Sequence, residues 1–377
     1  MIAWILLIAS FALGNIYRFS FFSPDIKISI LDCTVFILTI VGLRVKRIEN
    51  RIIMPILVFF SLGLLSLIPA IYKFGIPAVT VGAMYLLRWL VYSLFFTSII
   101  YLIKLDKINK LLLCLGILTA ILGLGQYFLF PDVRSLSSLE WDPHYYRVVG
   151  SWLDPGFTGI ILVFTLILTT LRNHKFLWFL TYIPFALTYS RSSYAAFLVS
   201  MAYIAWKQKG WKFFVKILLL FTITIYLLPR TSGGEGVKLE RTSSISSRIE
   251  SWKTAGNTFL KNPILGVGFN VYRYVQGTDF KNHAGAGSDS SLLFVAATTG
   301  ILGLSAYLWY LKRLLSLEPI TYYLIPLLVH SLFLNSLFYP PVMVWLSLLV
   351  LCASGFPPDP MQRIPVHSLQ NLNSKQR

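Results

Sequence analysis

The stretch Ile52-Ile-Met-Pro-Ile-Leu-Val-Phe-Phe-Ser-Leu-Gly-Leu-Leu-Ser-Leu-Ile-Pro-Ala-Ile-Tyr72 carries no charged residue over 21 positions. About 20 predominantly apolar residues match the hydrocarbon thickness of a bilayer. The surface helix of a soluble protein would show a polar face instead. Working outward, apolar runs of similar character occupy 1–17, 27–43, 76–103, 111–130, 157–171, 176–190, 193–206, 213–228, 291–311, 320–338 and 341–356. The chain therefore reads as an all-α polytopic membrane protein of about twelve transmembrane helices. Composition agrees: 56% of residues are hydrophobic, only 13% are charged, and the mean hydropathy is +0.69. A soluble domain of that composition would expose apolar surface everywhere.

The net charge of +18 would suggest nucleic acid in a soluble chain. Here the basic excess sits in short loops, so nucleic-acid binding is discounted and the partner is the lipid bilayer. Arg44, Lys46, Arg47 and Arg51 fill one loop; Lys104, Lys107 and Lys110 the next but one; then come Arg172 and Lys175, then Lys207, Lys209 and Lys212, then Lys312 and Arg313. Because short basic loops stay inside, this alternation puts both termini in the cytoplasm of a multi-pass inner-membrane protein. The two long loops, 131–156 and 229–290, then fall together on the outer face. A catalytic transmembrane domain is expected over 1–356, and the Pro-, Ser-, Asn- and Gln-rich tail 357–377 is expected to be disordered. The first run lacks a basic leader and reads as a retained span. Cys33, Cys114 and Cys352 lie in apolar runs without metal-ligand spacing and read as core thiols. No internal repeat is visible.

The loop from Pro229 to Ser290 is too long to be a mere connection. It carries Arg230, Arg241, Arg248, Arg273, His283 and Asp289, residues suited to gripping an anionic head group. Ile249, Trp252 and Phe259 recur at helix-compatible spacing, which predicts a short amphipathic helix on the membrane surface, with Arg248 in its first turn and Pro263 ending it. Gly266 and Gly268 read as a tight turn. Ser288 or Asp289 is a candidate cap of the following helix, and the carboxylate or His283 could equally take a proton from a sugar hydroxyl.

Ser190-Arg191-Ser192 sits between two apolar runs with almost no loop. Its guanidinium either snorkels or is held at a cavity mouth, where it suits a phosphate. In the loop before Pro155, Glu140, Asp142 and His144 are spaced to touch one metal, although a solvated loop is the alternative and no metal is expected. Arg147, beside aromatic residues, suits a sugar phosphate. Arg88 stands inside an apolar run, where it either pairs with Asp32 or faces a cavity. His330 and Asn335 read as interhelical hydrogen-bonding residues.

Four stretches in order resemble the O-antigen ligase and Wzy-type polymerase superfamily: Arg147-Val-Val-Gly-Ser-Trp-Leu-Asp-Pro155; Thr188-Tyr-Ser-Arg-Ser-Ser-Tyr-Ala-Ala-Phe197; Ser247-Arg-Ile-Glu-Ser-Trp252 with Asn262-Pro-Ile-Leu-Gly-Val-Gly-Phe269; and Ser290-Ser-Leu-Leu293 with Thr299-Gly-Ile-Leu-Gly303. The resemblance covers about residues 140–311. It implies a GT-C-like helical enzyme that needs no cofactor. Its donor would be an undecaprenyl-pyrophosphate-linked glycan and its acceptor a hydroxyl of a glycan or glycolipid. Arg191 and Arg248 are then expected to hold the pyrophosphate, with Arg147, Arg88, Arg241, Arg273 and Ser190 as further substrate-binding residues. The superfamily has a His-Asn pair where this chain has Ser288-Asp289, which leaves His283 and Asp289 as rival bases.

Overall fold

The computed structural model describes residues 2–21, 23–42, 50–139, 141–229, 235–277 and 287–354. The fold is helical, as expected of an all-α membrane protein; the chain enters through α1 (Ile2–Leu13) and then makes a small addition that the apolar runs did not announce, an antiparallel hairpin of β1 (Arg18–Phe21) and β2 (Ser23–Ser29). Phe19 pairs with Ile28 and Ser20 with Lys27. The alternation of apolar and polar residues in Phe19-Ser20-Phe21 and Ile26-Lys27-Ile28 is a strand period. It shortens the two flanking runs, so that α2 spans Ile30–Gly42.

A single helical assignment, α3, then covers Asn50–Leu102, but Gly75 interrupts it at φ 80, ψ 171. That conformation is open essentially to glycine alone. The chain doubles back there: Gly63 abuts the Leu86 side chain and Gly82 abuts that of Leu67. Both pairs are centred on Gly75, as two antiparallel legs require. The expected runs 52–72 and 76–103 are therefore the two legs of one tight hairpin, joined by one residue.

After α4 (Ile108–Leu129) and a folded loop comes α5 (Pro155–Leu171), buried at every position from Pro155 to Thr170. A helix apolar all round belongs in the centre of a bundle, and α5 packs against α4, α6 (Lys175–Ala186), α7 (Arg191–Ile204), α12 (Glu318–His330) and α13 (Pro340–Ser354). Its start is dictated by Asp154-Pro155: the Asp154 carboxylate accepts from the Gly156 and Phe157 amides at 2.7 and 2.9 Å, and proline occupies the first turn. The opposite case is α8 (Trp211–Leu227), where Phe221 alone is buried and Val215, Leu219, Tyr226 and Leu227 are exposed, as on a lipid-facing helix.

The helix expected in the long loop forms as α9 (Ser243–Lys261). It starts early enough that Arg248 lies in its second turn, and it packs on α11 (Ser291–Leu315) rather than lying free. Its Ala255 is fully buried. Between α9 and the short α10 (Tyr272–Gln276), the chain turns through Gly266 and Gly268, both at positive φ as the tight-turn reading requires. α11 is broken at Gly300 (φ 64, ψ −165), and the turn fills the break. The Val267 and Gly268 amides donate to the Ala297 and Thr298 carbonyls, and the Ile301 and Leu302 amides donate to Pro263 and Ile264. Backbone groups that the helix leaves open are thus satisfied by a segment of the loop.

Every expected apolar run folds as a helix or half-helix. Arg51–Leu102, Leu105–Leu129 and Ser291–Leu315 are long and apolar enough to cross a membrane, while Ile2–Leu13, Ile30–Gly42, Pro155–Leu171 and Pro340–Ala353 are shorter apolar helices. The run expected over 320–338 stops at His330, and the connection that follows, through a 3₁₀ turn at Ser336–Phe338, is used by the site. The three cysteines are free. Residues 357–377 lie outside those described.

Candidate functional site

The two long loops meet the β-hairpin and the α12–α13 connection around a cavity of about 300 Å³. Its lining carries charges of both signs. Arg18 and Lys27 from the hairpin, Arg88 from α3 and Arg273 from α10 supply the basic residues; Asp142, Asp154 and Asp289 supply acidic ones from the two loops, and Asp25 sits beside Arg273. Trp89, Tyr92, Phe269, Phe338 and Tyr339 provide aromatic surface, with Tyr339 stacked on Phe157 at 3.8 Å and held through its hydroxyl by Asn15 at 3.0 Å.

Arg88 satisfies both readings given to it. Its Nη2 pairs with Asp32 at 2.6 Å, and Asp32 also accepts from Tyr92, the Ser29 amide and the Ser29 hydroxyl. Yet Arg88 lines the cavity, and its Nε is sealed from solvent with no partner among the described residues. Arg273 is alike: Nη1 reaches Asp25 at 3.6 Å while Nε has no partner. Buried donors without acceptors are costly, and both belong to residues that line the cavity.

On the acidic side, the helix cap expected of Ser288 or Asp289 is made by Ser290, whose hydroxyl accepts from the Leu293 amide. Asp289 is thereby released to the cavity, its backbone fixed by a 3.1 Å bond from its amide to Ser251 Oγ of α9. Burial raises its carboxyl above the usual carboxylate value, with Asp142 adding to the effect and Arg248 opposing it. Asp142 and Asp154 are also raised, in both cases first by burial. His144 is pushed down to about 3 by burial and by the Arg147 and Arg241 charges, so it is a neutral imidazole at physiological pH.

Beside the cavity lies a second concentration of charge. Arg147 is buried and donates to the Thr188 and Tyr189 carbonyls, pinning the α6–α7 turn. Arg241 donates to the Gly236 and Lys238 carbonyls. Arg191 donates to the Leu239 and Arg241 carbonyls and to Ser244 Oγ, which ties the entry of α9 to the start of α7. Arg248 stands over the Phe333 ring at 5.8 Å, within electrostatic reach of Asp289 and Arg191. Burial and the neighbouring Arg241 push Arg147 down to about 9, with Arg248 contributing to the same effect. Burial lowers Arg248 as well, and the Arg191 charge adds to this against the opposing pull of Asp289. Repulsion thus links Arg147 with Arg241 and Arg248, and Arg248 with Arg191.

The expected site residues therefore fall into two groups. Arg88, Arg273 and Asp289 line the cavity; Arg147, Arg191, Arg241 and Arg248 form the adjoining cluster, and Ser190 caps α7 by accepting from the Ser193 amide. His283, Arg230 and Glu140 lie outside the described residues. His330 makes the interhelical bonds expected of it, to Ser192 and Ser193 at 3.3 and 3.2 Å and to Ser336 at 2.6 Å. Asn335 does not: it lines the cavity with Oδ1 buried and unpartnered. Sequence reading passed over Arg18, Asp25, Lys27 and Asp154. The first three lie between or at the edge of apolar runs, and the only sequence signal for Asp154 was its place before Pro155.

No curated protein matches the sequence. Residues 176–308, running from α6 into α11 and including Arg191, Arg241, Arg248, Arg273 and Asp289, match the family model for O-antigen ligase, a match over about a third of the chain that supports its membership of the O-antigen ligase and Wzy-type superfamily.

Proposed function

We propose that the chain is a membrane glycosyltransferase that moves a polyprenyl-pyrophosphate-linked glycan onto a sugar hydroxyl at the outer face of the cytoplasmic membrane, as an O-antigen ligase does. The observation that carries this reading is the cavity lined by charges of both signs beside a cluster of four arginines, among which like charges act on Arg147 and Arg248. Such a cluster favours a multiply charged anion, and guanidinium groups bind phosphate oxygens as bidentate forks. Arg191 and Arg248 hold the pyrophosphate of undecaprenyl pyrophosphate. Arg88 and Arg273 offer donors to the bound glycan, and Arg147, Arg241 and Ser190 keep the arginine cluster in place.

In the reaction, Asp289 or His283 takes the proton of the acceptor hydroxyl and the acceptor oxygen attacks the anomeric carbon. The bond from that carbon to the pyrophosphate oxygen breaks, and its electron pair leaves with the polyprenyl pyrophosphate. The arginines stabilise the departing charge, so no metal is needed at the leaving group. In this reading the chain has twelve spans in a GT-C-like arrangement, both termini in the cytoplasm and both long loops outside.

The test is incubation of the purified protein in lipid nanodiscs with a lipid-linked oligosaccharide and a glycolipid acceptor. Release of polyprenyl pyrophosphate together with an enlarged acceptor is expected. Translocation of an intact lipid-linked glycan without release would make the chain a transporter and refute the reading.

A further inference from the structure

The acidic residues at the cavity belong to an arrangement that the proposed glycosyl transfer does not use. Asp142 and His144 lie two residues apart in the folded loop, and Asp154 stands at its end, capping α5. One carboxylate oxygen from each aspartate and one ring nitrogen of His144 all lie within 4.8 Å of one another. The sequence had suggested Glu140 as the third member; the fold brings Asp154 to Asp142 and His144. From these positions, we infer that Asp142, His144 and Asp154 form a divalent cation site of the Mn²⁺ or Zn²⁺ type, open toward the cavity.

Three further observations support it. The Nε2 atom of His144 is sealed from solvent and has no hydrogen-bond partner among the described residues. Neither aspartate is in an ion pair among the described residues, where the pairs are Arg88–Asp32, Arg134–Asp132 and Arg273–Asp25; the Arg147 charge acts on both from farther off. Arg147, the cation closest in sequence, directs its Nε and Nη2 to the Thr188 and Tyr189 carbonyls. The scaffold is also built independently of any ion. The Val133 amide holds the His144 carbonyl at 3.0 Å, the Tyr146 amide holds that of Pro131 at 2.9 Å, and Asp132 bridges to Tyr145. Asp154 uses Oδ1 for both capping bonds, which leaves Oδ2 for another partner.

The donor set selects the class of ion. An imidazole with two carboxylates suits Mn²⁺ or Zn²⁺, whereas Mg²⁺ and Ca²⁺ prefer oxygen ligands alone. Metal–ligand bonds of about 2.0–2.2 Å need only a small contraction of the three side chains. Three protein ligands leave coordination positions free, and because Asp142 and Asp154 line the cavity, those positions face a bound molecule. The ion would close the loop from 142 to 154 and offer a Lewis-acidic contact to a sugar hydroxyl in the cavity that Arg88 and Arg273 also line.

The test reads metal directly and so stands apart from the transferase assay. Full-length protein stripped with chelator and desalted is titrated with MnCl₂, ZnCl₂ or MgCl₂, and bound metal is measured by mass spectrometry. About one equivalent of Mn²⁺ or Zn²⁺ per chain is expected, with Mg²⁺ far weaker. Asp142→Asn and His144→Gln should each weaken binding by more than the ~10-fold typical of disturbing a ligand's support; Asp154→Asn, which keeps a capping side chain, should do the same in a folded protein. Nitrogen electron-spin-echo modulation on the Mn²⁺-loaded wild type should show imidazole coordination without any variant. Absence of uptake, uptake unchanged in Asp142→Asn and His144→Gln, or a Mn²⁺ signal without nitrogen coupling would overturn the site.

Discussion

Replacing Gly300 by alanine tests how the loop is docked onto α11, because two independent penalties meet there. The residue sits at φ 64, ψ −165, a conformation that costs a residue with a side chain about 1–3 kcal/mol. An added Cβ would also lie 2.2 Å from the Ile264 carbonyl oxygen and 2.3 Å from its carbon, and backbone cannot move aside as a side chain tip can. Relief requires the 263–268 turn to back away, which breaks the four amide–carbonyl bonds joining it to Ala297, Thr298, Ile301 and Leu302. At a net ~0.5–1.5 kcal/mol per bond, strain and lost bonds together come to at least ~3 kcal/mol. By the tenfold-per-1.4 kcal/mol rule, the protection of the Val267, Gly268, Ile301 and Leu302 amides should fall by roughly 10²-fold. Hydrogen–deuterium exchange read by mass spectrometry on protein in nanodiscs measures this. Phe269, Asn270 and Arg273 follow the turn and line the cavity, so glycosyl transfer should fall with protection. Gly256→Ala is the control: nothing lies within 4 Å of the added Cβ, and alanine inside α9 should stabilise by about 0.5–1 kcal/mol. Wild-type protection of those four amides in Gly300→Ala would refute the account of the docked break.

Lysine at Arg191 or Arg248 keeps the charge and loses the fork; each variant should reduce transfer by roughly 10²-fold or more with folding intact, and full activity in both would remove the pyrophosphate clamp. If Asp289 is the base, transfer should rise with pH through its raised carboxyl pKa and level off once it is ionised. Asp289→Asn should then abolish transfer, whereas survival of that rise in Asp289→Asn and its loss in His283→Ala would give the role to His283. Because Asp142, Asp154 and Asp289 are all raised in the folded protein, the folded state holds protons more tightly than the unfolded chain. Their contribution to stability is full below the ordinary carboxylate value and declines as pH rises through the raised values, so thermal unfolding curves of Asp142→Asn should lose part of that decline. A cysteine at the exposed Lys253 of α9 should react with a membrane-impermeant thiol reagent in spheroplasts, and reaction only after lysis would invert the proposed topology.

The helices were legible because the bilayer imposes a length on apolar runs that local propensity need not supply. The central position of α5 was not, since an apolar run reads the same whether it faces lipid or protein; only its burial at every position separates it from α8. The hairpin at 18–29 was hidden because it is too short to register against two neighbouring apolar runs. Arg18 and Lys27 were lost with it. The amphipathic spacing located α9, but no sequence signal placed the 263–268 turn in the break of α11. That contact is tertiary, and its two glycines read singly as ordinary turns. Asp289 was recognised, yet its freedom to face the cavity depended on which of three adjacent polar residues would cap α11, and Ser288, Asp289 and Ser290 are all competent caps.

The charge arrangement explains why so much of the loop architecture is spent on carbonyl acceptors. Among the bonds of the described residues, Arg147, Arg191 and Arg241 donate to seven acceptors, six of them backbone carbonyls in the 188–189 turn and the 236–241 segment. Carbonyl oxygens can hold a guanidinium without cancelling its charge, whereas carboxylates would neutralise the positive field that an incoming anion must find. The cost shows in Arg147, whose pKa falls to about 9 through burial and the charge of its neighbours. A bound pyrophosphate would oppose that shift by adding negative charge, so binding and local stability would be coupled. A polyphosphate should accordingly raise the thermal stability of the wild-type protein, and the rise should shrink in Arg248→Ala, which removes a charge without touching the carbonyl contacts that hold the other three arginines.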